Sequence, residues 1–299
     1  MVSKSDLRGV GQDVPRNPQQ SVPGGPGAGP AGPDIVQTSE GWGVGALVNR
    51  RLRGLNWPFW LTLVVALVLW ESLSHLLDQP LVLAPIERIF AKAASLWNSG
   101  ALQQDIYISG LEFVFGFLIA VVLGTAVGFM AGYWNRVGTV VNPILSAVQA
   151  MPVIGLGPIF IVAFGIGPSS KVAIVALTAF FPIALNACAG VQQTGEPLYE
   201  LGRSFGLNTV QCLRKIAVPS SIPYLLAGFK VGVGRSLTAV VAGELFGGVH
   251  GLGLEIFTAA SNFDTASVYV AVAIFAVEGV ILSKLLEYAG RKAMPWQNS

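Results

Sequence analysis

Long apolar stretches alternate with short polar segments along this chain, and six of the stretches are long enough to predict membrane-spanning helices. A spanning helix needs about 20 largely apolar residues. The six predicted spans cover residues 57–77, 106–132, 140–164, 172–191, 224–246 and 268–289. The third is the least regular because Pro143, Pro152 and Pro158 interrupt it, and proline kinks a helix and frees backbone carbonyls that neighbours or water must satisfy. The pattern predicts an all-α integral membrane protein.

Composition supports this class. Of the 299 residues, 53% are hydrophobic and only 11% are charged, whereas a soluble domain is about 25% charged. The formal net charge of +2 is too small to indicate nucleic acid as a partner. Cys188 and Cys212 lack metal-ligand spacing, and we interpret both as small apolar residues near the cytoplasmic side.

The ends of the chain differ from its apolar middle. Residues 1–45 include the Gly/Pro-rich run "SVPGGPGAGPAGP" and predict a disordered cytoplasmic tail. Residues 46–56 place Arg50, Arg51 and Arg53 beside apolar residues, a pattern typical of a segment at the membrane interface or a plain juxtamembrane anchor. The predicted membrane domain is 57–292, and a short tail, 293–299, follows it.

Basic residues orient the predicted bundle. With six spans, one side of the membrane holds Arg50, Arg51, Arg53, Arg136, Arg203, Arg214, Lys215, Arg291 and Lys292. The opposite loops hold Arg88, Lys92 and Lys171 among several acidic residues. Cytoplasmic loops carry the excess of Lys and Arg, so both termini and the segment between the fourth and fifth spans are expected in the cytoplasm.

Small residues recur on one face of the second span. Gly124, Gly128 and Gly132 are spaced four residues apart, and small residues on one face let two helices approach closely. The spacing predicts a tight helix contact, either within one subunit or across a dimer.

A charged amphipathic segment separates the fourth and fifth spans. In "EPLYELGRSFGLNTVQCLRKIAVP", apolar residues recur at helical spacing on both sides of a break at Gly206-Leu207-Asn208. The pattern predicts two short amphipathic helices joined at a turn, the second stopped before Pro219. We place this predicted cytoplasmic loop at 194–222.

The spacing within this loop resembles a family signature. Glu200, Leu201 and Gly202, then Gly206, Ile216 and Pro219, stand at the positions of the "EAA" motif E-A-A-x3-G-x9-I-x-L-P of binding-protein-dependent ABC importer permeases. Glu200, Gly206, Ile216 and Pro219 are the residues that the motif has at those positions. The two alanines are replaced by Leu201 and Gly202, and Val218 stands for leucine. Gly202 weakens the first helix by about 1 kcal/mol relative to alanine.

Other stretches extend the resemblance from about residue 60 to 290. "SGLEFVFGFLIAVVLGTAVGFMAG", "QAMPVIGLGPIFIVAFGIGPSSK", "FFPIALNACAGVQ" and "GLGLEI" are similar to the nitrate/sulfonate/taurine branch of these permeases, which includes bicarbonate permeases. The resemblance implies a type I ABC importer permease fold, six transmembrane helices with a cytoplasmic coupling-helix loop, and a place in the bacterial cell membrane.

The resemblance also implies partners. In the family, the EAA loop docks on a separate cytoplasmic ATPase, so the matching positions here are expected to contact it, with Arg203 and Arg214 as further polar contacts. The other expected partners are an extracytoplasmic substrate-binding protein, a second permease copy in a homodimer (or a similar permease in its place) and membrane lipid. ATP and magnesium would be bound by the ATPase, and this chain is expected to hold no cofactor.

No catalytic or metal motif accompanies this pattern. The sequence contains no G-x4-G-K-[ST] for ATP phosphates, no H-E-x-x-H for zinc and no G-x-S-x-G for a serine nucleophile. We therefore expect a transporter subunit rather than an enzyme.

Ionisable residues inside the spans are few, and such residues usually face partners or water. Arg235 and Glu278 each lie about eleven residues from the cytoplasmic end of their spans, near the membrane midplane at about 1.5 Å per residue. They predict an ion pair, or alternatively Arg235 attracts an anionic substrate in the pathway. Glu244 lies near the outer end of the fifth span, where it is expected at a gate or binding-protein contact, or simply solvated at the interface.

The other ionisable positions carry less information. Lys230 is expected to extend to the cytoplasmic interface, and Glu71 and Glu112 have no assigned role. The Pro/Gly-rich "MPVIGLGP" places Met151, Pro152 and Gly155 along an expected translocation pathway between spans three to five, or else in helix packing.

Two other functions stay open from the residues alone. A secondary transporter or channel that needs no ATPase predicts inverted repeats with ion ligands at the midplane, and no clear internal repeat is present. A membrane enzyme would need a polar catalytic cluster at membrane depth, and the sequence offers none.

Overall fold

The computed structural model describes residues 57–77 and 82–294. The predicted tail (1–45), the predicted interfacial segment (46–56) and residues 295–299 of the predicted C-terminal tail lie outside the described residues. Throughout the two described ranges the secondary structure is helical, without a β-strand.

The helices follow one another with short connections. The first six are α1 (Trp57–Leu77), α2 (Ile86–Asn98), α3 (Ala101–Tyr133), α4 (Asn135–Gln149), α5 (Gly157–Phe164) and α6 (Pro168–Gln192). A 3₁₀ turn, Val153–Leu156, lies between α4 and α5. The remaining five are α7 (Glu196–Ser204), α8 (Thr209–Cys212), α9 (Val218–Gly247), α10 (Leu252–Ser261) and α11 (Thr265–Ala293).

Five helical stretches are long and apolar enough to cross a membrane. Four of them are α1, α3, α6 and α11, and the fifth is Thr209–Gly247, in which α8 continues into α9. They confirm the predicted all-α membrane class. The third predicted span is wrong as a single helix, because the chain there forms α4, a 3₁₀ turn and α5. The prolines explain the break: Pro152 falls between the two helices, and Pro158 lies in the first turn of α5, where its missing N–H is tolerated.

The predicted glycine contact lies within the subunit. The glycine face of α3 packs along α6: a Cβ on Gly124 would lie 3.0 Å from the Phe180 carbonyl oxygen, and one on Gly132 would lie 2.8 Å from the Cys188 carbonyl oxygen. Gly128 packs against the backbone of Ala184. These contacts involve backbone, so only glycine permits this separation of α3 and α6.

The core lies where α3, α6 and α9 meet. Its largest cluster of buried apolar side chains comprises Phe113, Ile174, Val175, Val233, Ala239 and Val240. A second cluster joins α3 to α10 and α11 and is formed by Leu102, Leu252, Val270 and Ala271. Ile89 and Leu96 of the amphipathic helix α2 pack against the second cluster.

Two short helices were not predicted from the sequence. Helix α2 contains Arg88 and Lys92, which were assigned to a loop, and α10 follows the "GLG" turn. The Glu71 carboxylate, which had no predicted role, accepts a hydrogen bond from the first backbone N–H of α2, at Ile86, over 2.9 Å. A carboxylate at a helix N-terminus satisfies an unpaired donor and interacts favourably with the helix dipole.

Candidate coupling loop and translocation pathway

The turn of the predicted coupling loop ends α7. The Gly206 N–H donates to the Arg203 carbonyl over 2.9 Å, and the Leu207 N–H donates to the Gly202 carbonyl over 3.1 Å. These two bonds form a Schellman motif, which needs a left-handed residue, and Gly206 supplies it with a φ of +77°. The turn predicted at Gly206 is therefore confirmed, and its backbone requires a residue that tolerates positive φ.

Gly202 holds the two arms of the loop together. It is buried, and a Cβ there would lie 2.7 Å from Ile216 Cδ1 and 3.4 Å from both Cys212 Sγ and Leu207 Cδ1. Two members of the signature, Gly202 and Ile216, thus contact each other across the turn. Their role in the structure is to fix the angle between α7 and the following helix.

The second arm does not stop at Pro219, which corrects the prediction. Helix α8 begins with a capping box between Asn208 and Gln211 and continues through a π-helical turn, Leu213–Ala217, into α9. Proline removes one helical N–H, and the widened turn accommodates it. Ser220 donates its hydroxyl to the Ile216 carbonyl over 2.7 Å, and Ser221 donates its hydroxyl to the Ala217 carbonyl over 2.6 Å.

The outer surface of the loop carries polar and apolar side chains together. The predicted contact residues Glu200, Leu201, Arg203 and Arg214 are exposed. Phe205, 79% exposed, and Val210, 70% exposed, lie on the same loop and were not among the predicted contact residues. The sequence feature that could have indicated these two contact residues is an apolar side chain close to charged residues in a segment predicted to lie outside the membrane. We name these six residues the coupling surface.

A small cavity brings three of the predicted pathway residues together. Its volume is about 150 Å³, and it is lined by Gln149, Met151, Pro152, Val153, Thr178, Phe181, Pro182, Arg235, Thr238 and Ala239. The cavity thus lies where the broken segment after α4 faces α6 and α9. Gly155 is exposed and does not line it, and Glu244 and Glu278 lie elsewhere.

The predicted ion pair between Arg235 and Glu278 is absent. Arg235 is exposed on α9, Glu278 is half-buried on α11, and neither forms an ion pair with any described residue. Equal depth in two helices does not fix the direction in which each side chain points. Lys230 does pair with a carboxylate, Glu287, at 2.7 Å, and both side chains are exposed.

Glu244 lies in a buried polar cluster rather than at an open interface. Its Oε2 accepts the Gly253 N–H over 2.5 Å and the Leu254 N–H over 3.3 Å. Ser109 of α3 donates its hydroxyl to Glu244 Oε1 over 2.6 Å and accepts the Leu252 N–H over 2.9 Å. Solvation at the interface, one of the predicted alternatives, is therefore wrong for Glu244, which binds the first turn of α10 to the bundle.

A buried ion pair adjoins this cluster. Lys171 Nζ lies 2.7 Å from Glu112 Oε1, and the two side chains are 5% and 2% exposed. Lys171 was predicted in an outer loop, but α6 begins at Pro168 and includes it. No sequence signal indicated this pairing, because the two residues are 59 positions apart. Among the described residues, no group of three or more His, Cys, Asp or Glu side chains is arranged to hold a metal ion.

Comparison with known proteins identifies related chains. Residues 113–293 match the family model described as binding-protein-dependent transport system inner membrane component. The chain is 29% identical over 249 residues to a Bacillus subtilis (strain 168) protein named as an aliphatic sulfonates transport permease protein, covering 83% of this chain and 88% of that one. It is 28% identical over 267 residues to the taurine transport system permease protein TauC of Escherichia coli (strain K12), covering 84% and 97%.

A third relative is named for a different solute. The riboflavin transport system permease protein RibX of Chloroflexus aurantiacus (strain ATCC 29366 / DSM 635 / J-10-fl) is 30% identical over 256 residues, covering 84% of this chain and 95% of that one. Among solved structures, inward facing conformations of the MetNI methionine ABC transporter match with a TM-score of 0.56 at 16% identity, covering 64% of this chain and 96% of that one. The structural match supports the fold, and the named relatives are transport permeases rather than enzymes.

Proposed function

We propose that this chain, which belongs to the family of binding-protein-dependent transport system inner membrane components, is the permease subunit of an ABC importer. It forms the translocation pathway for a small solute and is driven by a separate ATPase. The observation that carries the proposal is the coupling surface, which lies on an exposed helix–turn–helix. The signature residues Gly202, Gly206 and Ile216 determine the shape of this helix–turn–helix. ATP and magnesium would be bound by the ATPase.

The loop suits docking on another protein. An exposed aromatic side chain surrounded by charged residues is typical of an interface, where aromatic residues and arginine contribute most of the binding energy. Here Phe205 directly follows α7, two residues after Arg203. The buried contact between Gly202 and Ile216 keeps the two arms of the loop at a fixed angle, so the surface does not have to be ordered when the partner binds.

The rest of the assembly follows from the same proposal. A second permease copy would complete the pathway along the face that exposes Arg235, Met151 and Pro152. A substrate-binding protein would deliver the solute from outside the bacterial cell membrane. Both termini and the coupling surface would lie in the cytoplasm, as the Lys and Arg distribution predicts.

The proposed solute is a small molecule with an anionic group, of the sulfonate, taurine or nitrate type. Two of the relatives are named for aliphatic sulfonates and taurine. The riboflavin relative is equally similar in sequence, so overall identity does not select the solute. The choice rests on the Arg235 guanidinium at the small cavity, which pairs with no carboxylate of the described residues.

Substitution at the coupling surface tests the proposal. The complex would be purified through a tag on the permease, and the amount of its ATPase subunit retained would be measured for Phe205→Ala. Truncating an aromatic hot spot costs about 2 kcal/mol or more, which is roughly a 30-fold loss in affinity. The matched control is Phe263→Ala, because Phe263 is similarly exposed (73%) but lies between α10 and α11.

The results distinguish the proposal from its alternative. Loss of the ATPase in Phe205→Ala but not in Phe263→Ala supports docking at the coupling surface. Equal retention of the ATPase in both variants contradicts it. Solute uptake by vesicles that contain the permease alone, without ATPase or ATP, would instead favour a secondary transporter or channel.

A further inference from the structure

A groove between α9 and α11 contains both apolar and basic side chains. Its volume is about 370 Å³. The lining residues recur at helical spacing along the two helices and comprise Pro223, Leu226, Ala227, Lys230, Leu286, Glu287, Gly290, Arg291 and Met294. A Cβ on Gly290 would lie 2.5 Å from Leu226 Cδ1, so the two helices are in contact at the floor of the groove. Because Ala227, Lys230 and Arg291 are exposed, the groove opens onto the surface of the bundle.

The positive charge at this groove exceeds the negative charge. Lys230 forms an ion pair with Glu287 at 2.7 Å. Arg291 and Lys284 also interact electrostatically with Glu287, but no ion pair among the described residues includes either of these two cations. One carboxylate therefore lies among three basic side chains, which leaves an excess of positive charge at the groove.

The helix dipole does not account for all of this charge. Basic residues in the last turn of a helix, here Arg291 and Lys292, interact favourably with the negative end of the dipole. Lys284, however, lies nine residues before the end of α11 at Ala293, and Lys230 lies in the N-terminal half of α9. The effect of the dipole is confined to about one turn, so these two lysines require another explanation.

The groove lies at the depth of lipid phosphates. Helix α11 has 29 residues, which extend about 44 Å, and a bilayer with its head groups is about 40–45 Å thick. Arg291 lies two residues before the end of this helix and therefore within the head-group layer. Lys230 reaches the level of Glu287, about 9 Å from the same end, where a long side chain extends its charge to the interface.

An apolar surface continues from the groove toward the middle of the membrane. Val277, Val280 and Ile281 of α11 are each more than half exposed. They precede Lys284 along α11, on the side away from Arg291 and the end of the helix. Basic side chains at head-group depth and an exposed apolar surface below them together match a ligand that has an anionic head and apolar chains.

We propose that this groove binds one anionic phospholipid, whose phosphate interacts with Arg291 and Lys230 and whose acyl chains lie along α11. A basic pocket between membrane helices on the cytoplasmic side is a typical site for an anionic lipid head group. The guanidinium can bind a phosphate through two parallel N–H donors, and the Lys230 ammonium has three donors, so it can bind the phosphate and Glu287 together. The Glu287 carboxylate repels the phosphate and lowers its affinity. This inference goes beyond the proposed function and requires only that α9 and α11 span a membrane.

Lipid binding can be measured on the permease–ATPase complex in a neutral detergent. The complex would be titrated with dioleoyl phosphatidylglycerol and, separately, with dioleoyl phosphatidylcholine, and native mass spectrometry would count the lipids bound per permease. Each basic residue near an anionic lipid contributes about fivefold in affinity. We therefore expect one saturable phosphatidylglycerol per permease, with phosphatidylcholine binding about 25-fold more weakly. Arg291→Gln should weaken phosphatidylglycerol about fivefold.

Three further variants separate a lipid site from a general effect of surface charge. Arg136→Gln removes an exposed arginine at the start of α4, on the same predicted side of the membrane but outside the groove, and should leave binding unchanged. Ala227→Phe fills part of the groove without changing its charge and should weaken phosphatidylglycerol. Glu287→Gln removes the repelling carboxylate and should strengthen phosphatidylglycerol binding about fivefold, an increase that a structural defect would not produce.

Retention of the ATPase by each variant is measured in parallel. Loss of lipid binding in a variant that keeps its ATPase is a failure of the lipid site and leaves the proposed function untouched. Loss of the ATPase from the Phe205→Ala complex, with phosphatidylglycerol still bound, would leave the lipid site standing.

Four outcomes would overturn the inference. They are equal affinity of the wild-type complex for the two lipids, equal weakening by Arg291→Gln and Arg136→Gln, unchanged affinity in Ala227→Phe, and weaker binding in Glu287→Gln. Displacement of phosphatidylglycerol by an equal concentration of glycerol 3-phosphate, which has no acyl chains, would assign the groove to a soluble phosphate compound and would also overturn it.

Discussion

Replacing Lys171 with methionine tests whether the buried ion pair holds its end of the bundle together. Methionine keeps the length and most of the volume of the side chain, so the change removes mainly the charge. In the wild type, the Lys171 ammonium lies 2.7 Å from Glu112 Oε1, and Glu112 Oε2 is buried without a hydrogen-bond partner. The ammonium is therefore the principal group that compensates this carboxylate.

The expected loss is large. Removing one member of a buried pair leaves an uncompensated charge, which costs about 3–5 kcal/mol. For a protein of this size, each 1 kcal/mol lowers Tm by roughly 2–4 °C, so we expect Lys171→Met to lower Tm by about 6–20 °C. The double variant Glu112→Gln/Lys171→Met should recover most of this loss, because no unpaired charge remains at the Glu112 position.

The assay is thermal unfolding of the purified permease in detergent, followed by tryptophan fluorescence at constant pH. The matched control is Lys230→Met, which breaks a pair that is 43% and 49% exposed at its two side chains. Exposed pairs contribute little, so its Tm should stay close to that of the wild type. The reasoning is refuted if Lys171→Met and Lys230→Met shift Tm equally, or if adding Glu112→Gln restores nothing.

Two further predictions concern helix packing and pH. Gly128→Val should destabilise the α3–α6 contact by about 1–3 kcal/mol or more, because the new side chain meets backbone that cannot move aside. The control is Gly110→Val on the same helix, where the new side chain meets open space. The Tm of both variants in detergent checks this prediction, and equal shifts in Tm would contradict it. The hydrogen bond from the Lys92 ammonium to Asp264, over 2.8 Å, lowers the pKa of the Asp264 carboxyl. The ionised carboxylate therefore stabilises the folded protein at a pH above the pKa that Asp264 has in the unfolded chain. This stabilisation is lost as the pH falls through the pKa that Asp264 has in the folded protein. Tm should accordingly fall more steeply from about pH 6 to about pH 3 in the wild type than in Asp264→Asn, and identical slopes would rule this out.

The long helices could be predicted because their signal is local. An apolar run of sufficient length specifies a membrane helix without knowledge of its neighbours, and each of the five long helices contains one of the predicted spans. The prolines in the segment 140–164 predicted an irregular helix, but they did not predict the position at which the helix breaks. The turn at Gly206 was also predictable, since a glycine between two amphipathic patterns indicates a positive φ.

The polar contacts could not be predicted because they depend on helix rotation. Whether Arg235 points toward Glu278 or toward Met151 is decided by packing of α9 on α6, which no local pattern specifies. The same limit applies to Glu112 and Lys171, and to the partner of the glycine face on α3. The short helices α2 and α10 were missed because 13 and 10 residues give too few turns for a clear spanning signal.

The continuous helix Thr209–Gly247 links the coupling surface to the cavity mechanically. Its 39 residues extend about 58 Å at about 1.5 Å per residue, and it carries Arg214 near one end and Arg235 in its second half. Between them, Gly228 and Gly232 pack closely on Asn186 and Ile183 of α6, so under the proposed function this contact would be the pivot of the helix. Measured from residue 230, Arg214 lies about 24 Å away and Arg235 about 8 Å, so tilting the helix moves Arg235 about one third as far as Arg214 and in the opposite direction. Under the proposed function, a shift driven by the ATPase at Arg214 would thus move the guanidinium by about one third as much, and a displacement of about 1 Å already breaks a hydrogen bond to a bound anion.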